Sequence, residues 1–406
     1  MNNLSKILIA QLITATLFLG LAIPSYGQRN IGDATVGAQR DVIPVVVRSR
    51  DATAMNILRT AFSIHGKYKV VSSMNQAAFA IQVDPAGGNQ ASIRITRGNP
   101  EQFFRSGTTQ GTSARNAVLK GVDFAIRQTA QMPGFFGGKI AYVGEVGGAT
   151  EIYARDFLFG EGLKLTNHRV EVLRPRWSPD GNYVVYTSYL SGFPNIRRID
   201  LRNQRSDVLA NFKGTNTSAR YSPDGSRLVM VLTGRGGTSD VFVGNNQARG
   251  LKLVANSNGL EAAPCWSPDG REIIFVSDRT GPLALYRGSP NGGQFSRIPT
   301  NISGYCSEPD WNPRDPDQVA FTIGQSGGFQ VASYSLGQRR SVTLTNERGD
   351  ALHPCWLNDG RHILYTWRTG SSERIVLLDT VSKRRTVLSP AVLGKASQPS
   401  FLPPRG

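Results

Sequence analysis

The chain is poor in cysteine, with three cysteines among 406 residues. They are Cys265, Cys306 and Cys355, and an odd number in a chain of this length excludes a disulfide framework. Two of them directly precede a tryptophan. We interpret all three as small, buried, apolar residues.

Acidic residues are scarce relative to basic ones. The chain has 29 Asp and Glu against 46 Lys and Arg, which gives a formal net charge of +17. No run of five or more basic residues occurs, which argues against a nucleic-acid-binding tail. A diffuse positive charge suits an anionic envelope surface or an acidic protein, and it also serves solubility, so both interpretations stay open.

Long hydrophobic runs are missing except near the first residue. Lys6 precedes the apolar run Ile7–Ile23, and Ser25-Tyr26-Gly27 then places small residues before Gln28. This layout predicts a cleaved secretory signal peptide over residues 1–27. An uncleaved membrane anchor is the alternative, since the run is near the lower limit for crossing a bilayer. We expect a secreted protein without a membrane span after cleavage, so nucleic acid is not an expected partner.

Sequence motifs of catalysis and metal binding are nearly absent. The chain has no G-x-G-x-x-G, no Walker sequence, no C-x-x-C and no H-x-x-x-H. Residues 324–328 (GQSGG) match the G-x-S-x-G nucleophile elbow, but that elbow needs a helix after it, and we expect a hairpin between two strands here. His353 and Cys355 lack the further ligands of a metal site. We predict no catalytic residue, no metal and no cofactor.

What the sequence does contain is an aromatic residue that returns every 44 or 45 positions. The series is Trp177, Tyr221, Trp266, Trp311, Trp356 and Phe401. The first three are each followed by Ser-Pro-Asp-Gly. A period of about 40–50 residues that holds short strands is typical of a β-propeller blade. We interpret the aromatic residues as packing anchors and Asp-Gly as a hairpin turn, and we favour this over a binding motif.

Six complete sets of strand signals follow residue 134. The first set lacks an anchor strand before Lys139, and the last anchor, Phe401, lacks strands after it. A C-terminal strand near residues 397–402 is therefore predicted to pair with Lys139–Val143 and to close the ring, which removes an exposed sheet edge. The prediction is a six-bladed propeller over residues 134–406.

A small domain is predicted before the propeller. Residues 28–40 are polar and glycine-rich, which indicates a flexible arm. Residues 41–133 read as β-α-β-β-β-β-α, with a first helix capped by Asp51 and a second over about Ser113–Gln131. The predicted fold class is thus an all-β six-bladed propeller preceded by a small α+β domain.

The Ser-Pro-Asp-Gly repeats, the small domain and the junction Pro133–Val143 resemble the TolB family of Tol–Pal systems, over about residues 28–406. The resemblance implies a non-catalytic periplasmic adaptor that supports outer-membrane integrity and cell division. In that family the mouth of the propeller channel binds the peptidoglycan-associated lipoprotein Pal. The N-terminal arm binds the protein TolA, and its counterpart here would be Gln28, Arg29, Asn30 and Ile31.

The segments that lead into the first strand of each blade would form the Pal-facing mouth. Glu308 in Ser-Glu-Pro fits the family placement best, and Arg174 and His353 hold the corresponding place in their blades. The mouth residues that the resemblance implies are Arg174, Thr215, Ser218, Ala263, Glu308, His353 and Gln398.

Two departures leave other functions open. Residues 28–39 do not clearly match the TolA-binding segment, and the net charge is high for the family. One alternative is a binding module for an anionic envelope glycan or lipid. The other is a propeller hydrolase or lyase, because the fold alone does not exclude catalysis.

Overall fold

The computed structural model describes residues 42–234 and 237–405. They form a small α+β domain followed by a six-bladed β-propeller, which confirms the predicted fold class. The elements of the small domain are β1 (Ile43–Arg48), α1 (Ala52–Ile64), β2 (Tyr68–Val70), β3 (Phe79–Pro85), β4 (Gln90–Arg97), β5 (Gln102–Gln110) and α2 (Ala114–Ala130), with a 3-10 turn at Met74–Gln76.

The small domain is one five-stranded sheet with both helices packed against it. The strand order is β2-β1-β3-β4-β5, parallel around β1 and antiparallel from β3 onward. Each helix begins at a side-chain cap: the Asp51 carboxylate accepts from the Ala54 N–H and the Ser113 hydroxyl from the Asn116 N–H. The apolar stripe of each helix is buried, including Leu58 on α1.

Six four-stranded antiparallel sheets make up the propeller. Blade 1 contains β6 (Lys139–Val146), β7 (Ala149–Asp156) and β8 (Gly162–Lys164), and blade 2 contains β9 (Val172–Trp177), β10 (Tyr183–Ser188), β11 (Asn195–Asp200) and β12 (Arg205–Ala210). Blade 3 contains β13 (Asn216–Tyr221), β14 (Arg227–Thr233), β15 (Ser239–Asn245) and β16 (Lys252–Ala255).

The remaining three blades follow the same order. Blade 4 contains β17 (Glu261–Trp266), β18 (Ile273–Ser277), β19 (Ala284–Gly288) and β20 (Ser296–Arg297). Blade 5 contains β21 (Cys306–Trp311), β22 (Gln318–Gln325), β23 (Gly328–Ser335) and β24 (Arg340–Thr343). Blade 6 contains β25 (Asp350–Trp356), β26 (His362–Thr369), β27 (Ser372–Asp379) and β28 (Arg385–Val387).

The last strand, β29 (Lys395–Leu402), belongs to blade 1. It pairs antiparallel with β6, so that Phe401 lies opposite Ile140. Blade 1 is therefore built from both ends of the propeller sequence, and its inner strand has a hydrogen-bonded neighbour.

Two of the anchor residues donate a side-chain hydrogen bond to the preceding blade. The Trp177 indole N–H donates to the Ser400 carbonyl at 3.1 Å, and the Trp266 indole N–H donates to the Arg220 carbonyl at 3.1 Å. The Gly after each Ser-Pro-Asp has a positive φ, such as 69° at Gly270, which a tight hairpin turn requires. These contacts support the structural interpretation of the repeat.

The small domain packs against the hairpin-turn ends of blades 1 and 6, through a group of side chains that we call the domain seam: His65, Phe135, Phe136, Asp359 and His362. The rings of Phe135 and His65 stack with centroids 5.2 Å apart. The His362 ring places Nδ1 2.6 Å from the Asp359 carboxylate and donates Nε2–H to the His65 carbonyl at 2.8 Å. Both ring nitrogens of His362 therefore have an acceptor. Burial would raise the pKa of the Asp359 carboxyl, but the contact with His362 holds this pKa below its usual range.

Candidate functional site at the channel mouth

One bulge recurs in the inner strand of every blade. In each case the register to the second strand shifts by one residue, as happens at a β-bulge. The residue at this bulge has a φ between 46° and 58° in all six blades. We call these residues the mouth ring: Arg174, Ser218, Ala263, Glu308, His353 and Gln398.

None of the mouth-ring residues is glycine, so each adopts a left-handed conformation at a cost of about 1–2 kcal/mol. Such strain persists only where the surrounding structure holds it, and it is concentrated at functional sites. The ring lies near the start of the inner strands, at the opposite end from the hairpin turns that carry the small domain.

Glu308 and His353 form the central pair of the mouth ring. Glu308 Oε1 lies 2.8 Å from His353 Nε2, and its Oε2 accepts from the His353 backbone N–H at 2.9 Å and from the Thr322 hydroxyl at 2.8 Å. Burial alone would raise the pKa of Glu308. The charge and hydrogen bonds of His353, with the charge of Arg174, instead hold this pKa well below its usual range.

The same bridge joins blades 1 and 2. Gln398 Oε1 accepts from the Arg174 backbone N–H at 2.7 Å, and the Gln398 N–H donates to the Thr366 hydroxyl at 2.8 Å. In both bridges a bulge side chain satisfies the bulge N–H of the next blade, so the strained residues also hold the ring together. Arg174 and Gln398 are half-buried, so part of each side chain is accessible at the mouth.

The other predicted mouth residues are more enclosed. Thr215, Ser218 and Ala263 are only 4%, 7% and 6% exposed, respectively. The Thr215 N–H donates to the Thr233 hydroxyl at 2.6 Å, which fixes Thr215 within blade 3. The structure therefore places these three in the wall of the mouth, while the half-buried Arg174, Glu308, His353 and Gln398 carry its accessible polar groups.

A second ring lies two residues further along each inner strand. We call it the inner ring: Arg176, Arg220, Cys265, Asp310, Cys355 and Ser400. Arg220 Nη1 donates to Asp310 Oδ1 at 2.7 Å, although these residues belong to blades 3 and 5. Asp310 Oδ2 accepts from the Trp356 backbone N–H at 2.8 Å. The ion pair therefore spans the channel past blade 4.

Charges in the inner ring influence one another across several blades. Burial and the charge of Arg220 lower the pKa of Arg176 to about 10, and burial raises the pKa of the Cys265 and Cys355 thiols to about 12. Cys265 is thus a buried thiol, as the sequence indicates, whereas Cys355 is half-buried, and both line a charged channel. The sequence did not lead us to this ring because only the two cysteines before an anchor were considered, as packing residues, although an Arg or Asp stands at three of the equivalent positions.

Some predicted features lie outside the described residues, and one sequence match to a catalytic motif lies in a hairpin. The signal peptide and the arm residues Gln28, Arg29, Asn30 and Ile31 lie outside the described residues. Ser326 and Gly327 form the turn of the β22–β23 hairpin, with Gln325 opposite Gly328, so a strand follows where a nucleophile elbow needs a helix. In the part of the chain from 42 to 405, apart from 235 and 236, no helix is long and apolar enough to cross a membrane.

Known proteins share this architecture and parts of this sequence. The family described as TolB beta propeller domain matches residues 127–404. The Tol-Pal system protein TolB of Francisella tularensis subsp. tularensis (strain FSC 198) is 27% identical over 173 residues, 40% of this chain and 39% of that protein. The Tol-Pal system protein TolB of Azoarcus sp. (strain BH72) is 33% identical over 146 residues, 35% of this chain and 34% of that protein.

A solved structure extends the similarity beyond the propeller. The crystal structure of TolB from Acinetobacter baumannii superposes with a TM-score of 0.78 at 20% identity, covering 89% of this chain and 97% of that one. At this identity the match concerns the fold, and the sequence matches span about two fifths or less of the curated relatives. Because the family match covers more than half of the chain, the protein belongs to the TolB β-propeller family.

Proposed function

We propose that the chain is a non-catalytic periplasmic adaptor of a Tol–Pal-like envelope system, and that its mouth ring binds a Pal-like peptidoglycan-associated lipoprotein. The observation that carries this proposal is the sixfold recurrence of a strained bulge around one channel mouth. A hairpin-rich scaffold with such a rim presents polar groups at fixed positions, which favours recognition of a folded partner. Through this contact the protein would support outer-membrane integrity and cell division.

The accessible groups of the mouth supply the contacts that such a partner needs. Arg174 offers a guanidinium donor and Gln398 a side-chain amide. The Glu308–His353 pair holds a carboxylate and an imidazole in fixed positions beside them. The Nδ1 atom of His353 is buried and has no hydrogen-bond partner among the described residues.

The predicted arm would provide the second contact of the adaptor. We include in the proposal that Gln28, Arg29, Asn30 and Ile31 bind a TolA-like protein, on the strength of the family alone. Deletion of residues 28–39 should abolish that contact and leave binding at the mouth unchanged. Loss of both contacts on this deletion would argue against separate sites.

Site-specific photo-crosslinking tests the main proposal. A photoreactive amino acid at position 174 of the mouth should capture a Pal-like lipoprotein in the cell envelope. The same amino acid at position 271, where Arg271 is 86% exposed on a hairpin turn, is the matched control and should not. Capture at position 271 but not at 174, or wild-type envelope integrity after deletion of the gene, would contradict the proposal.

The net charge of +17 favours one second candidate, a binding module for an anionic envelope glycan or lipid. This binding would weaken strongly as salt increases, because exposed charges are screened over about 10 Å at 0.1 M ionic strength. Sedimentation with anionic vesicles and with peptidoglycan at two salt concentrations separates the two candidates. A hydrolase or lyase is less well supported, because Ser326 lies in a hairpin turn.

A further inference from the structure

The Arg176 guanidinium lies near the channel axis without a carboxylate partner among the described residues. Its Nη1 donates only to the carbonyls of Pro175 at 3.0 Å and Pro399 at 3.4 Å. Arg176 belongs to blade 2, yet its ionisation responds to charged or titratable groups of blades 3, 5 and 6. Groups from these blades come together only around the axis of the ring.

The acid whose charge acts on Arg176, Asp310, already has two partners of its own. One of its carboxylate oxygens accepts from Arg220 at 2.7 Å and the other from the Trp356 N–H at 2.8 Å. Burial would lower the pKa of Arg220, but the charge of Asp310 raises it above its usual value, as expected for a formed ion pair. Asp310 thus balances Arg220, and the charge of Arg176 is left over.

The mouth side of Arg176 is also positive. Arg174 belongs to the mouth ring of the same blade, and within the described ranges its side chain forms no ion pair. Glu308, the one acid of the mouth ring, is held by His353 and Thr322. An ionic group entering from the mouth therefore meets Arg174 and then Arg176, neither of which forms an ion pair among the described residues; the exposed Glu171 lies three residues before Arg174.

An enclosed charge without a counter-ion is costly, and the guanidinium fork matches the two oxygens of a carboxylate or phosphate. We propose that the channel is an anion-binding site, in which a carboxylate or phosphate group binds Arg176 with Arg174 above it. Two sources share this chemistry: a free anion, or an acidic side chain that the docked partner inserts. The second source rests on the proposed function, and the first does not.

The free-anion source is tested with inorganic phosphate on the full-length secreted protein. At constant ionic strength, phosphate should raise the melting temperature of wild type by a few degrees, as a ligand of the folded state does. The variant Arg176→Gln, which keeps an N–H donor for the carbonyls but loses the charge, should lose that shift. The control Arg271→Gln removes an 86%-exposed charge and should keep it.

The partner source is tested with the soluble domain of a Pal-like lipoprotein from the same cell. Here Arg176→Gln should weaken binding by about tenfold or more, and phosphate should compete with the partner on wild type. If phosphate shifts wild type alone while the partner binds both proteins equally, the site takes a free anion. Failure of wild type to bind any such lipoprotein would contradict the proposed function and leave the phosphate result standing.

Three outcomes would overturn the anion site. The first is an equal phosphate shift in wild type and Arg176→Gln, which indicates an adventitious ion only or general salting-out. The second is no shift in wild type together with equal partner affinity. If Arg176→Gln fails to fold, Arg174→Gln takes its place. The third outcome is then that this variant binds both phosphate and the partner as wild type does.

Discussion

The polar side chains at the two ends of the inner strands differ in how completely they are paired. At the domain seam, charge is buried and paired. Both ring nitrogens of His362 have acceptors, one of them the Asp359 carboxylate, and the Phe135 ring packs against the His362 ring. At the channel, charge is half-buried and incompletely paired: Arg174 and Arg176 form no ion pair, and His353 Nδ1 has no partner, within the described residues. The charges at the seam are thus paired, although both ring nitrogens of His65 lack a hydrogen-bond partner there, whereas the mouth leaves Arg174 and Arg176 without an ion pair among the described residues.

Burial explains why the same kind of residue has different roles at the two ends. Desolvation lowers the pKa of His65 in the seam to about 3, so this ring stays neutral and serves as packing. The mouth keeps contact with solvent, so its charges can be matched by a partner that arrives later. The comparison predicts large effects on stability at the seam and large effects on binding at the mouth.

The largest effect on stability is expected at the seam. Asp359→Ala leaves the buried Nδ1 of His362 without its acceptor and should cost about 3–5 kcal/mol of unfolding free energy. Asp269→Ala removes the aspartate at the same turn position of blade 4, where the side chain is 59% exposed, and should cost about 1 kcal/mol. Urea titration of both variants measures the difference; equal losses would show that the seam is not a special site.

A smaller loss is expected from the inner ring. Asp310→Asn removes the charge that balances Arg220 and should cost about 1.5–3 kcal/mol. Addition of Arg220→Met should recover part of this loss, because the uncompensated charge is then gone. Denaturation of the single and double variants gives the coupling energy, and additive losses would mean that the cross-channel ion pair is not formed.

A pH-dependent effect is expected at the mouth. The pKa of Glu308 is depressed in the folded protein, so its contribution to stability is present above the unfolded value of about 4.3 and is lost as the pH falls below it. The stability gap between wild type and Glu308→Gln should therefore narrow between pH 5 and pH 3 (roughly the range in which an unfolded Glu titrates). Urea midpoints at several pH values measure this gap, and a constant gap would contradict the Glu308–His353 pairing.

The smallest effect concerns the bulge itself. Ala263 has a φ of 46°, which glycine adopts without steric cost, so Ala263→Gly should leave stability within about 0.5 kcal/mol of wild type. Its neighbour Ala262 lies outside the left-handed region, so Ala262→Gly should cost about 0.5–1 kcal/mol. The reverse order of the two losses would show that the bulge is not strained.

The fold was predictable because its signals are local and repeated. An Asp-Gly turn and an anchor aromatic define each blade without any long-range contact, and Asp51 and Ser113 mark the helix starts by side-chain caps. Counting the anchors then gave six blades. The exact ends of the elements differ from the predicted ones by one to two residues, for example at β29 (Lys395–Leu402), which was predicted near residues 397–402.

The site was predictable only in part, because it depends on contacts between distant blades. Repeat register placed Glu308 and His353 at equivalent positions, but it gave no indication that they contact each other. It also gave no indication that Arg220 reaches Asp310 across the channel, since the two residues are ninety positions apart. Thr215, Ser218 and Ala263 were predicted as mouth residues by register, and their burial follows from neighbours that the register does not show.

The central claim is that the partner binds at the mouth and not at the opposite end of the propeller. The most direct measurement is the affinity of the purified protein for the soluble domain of a Pal-like lipoprotein, with Glu308→Arg compared with Asp269→Arg. Both variants make the same charge change, one in the mouth ring and one on a 59%-exposed turn. We predict that Glu308→Arg weakens binding at least about 30-fold with cooperative unfolding retained, while Asp269→Arg binds as wild type does. Equal affinities for the two variants would contradict the account.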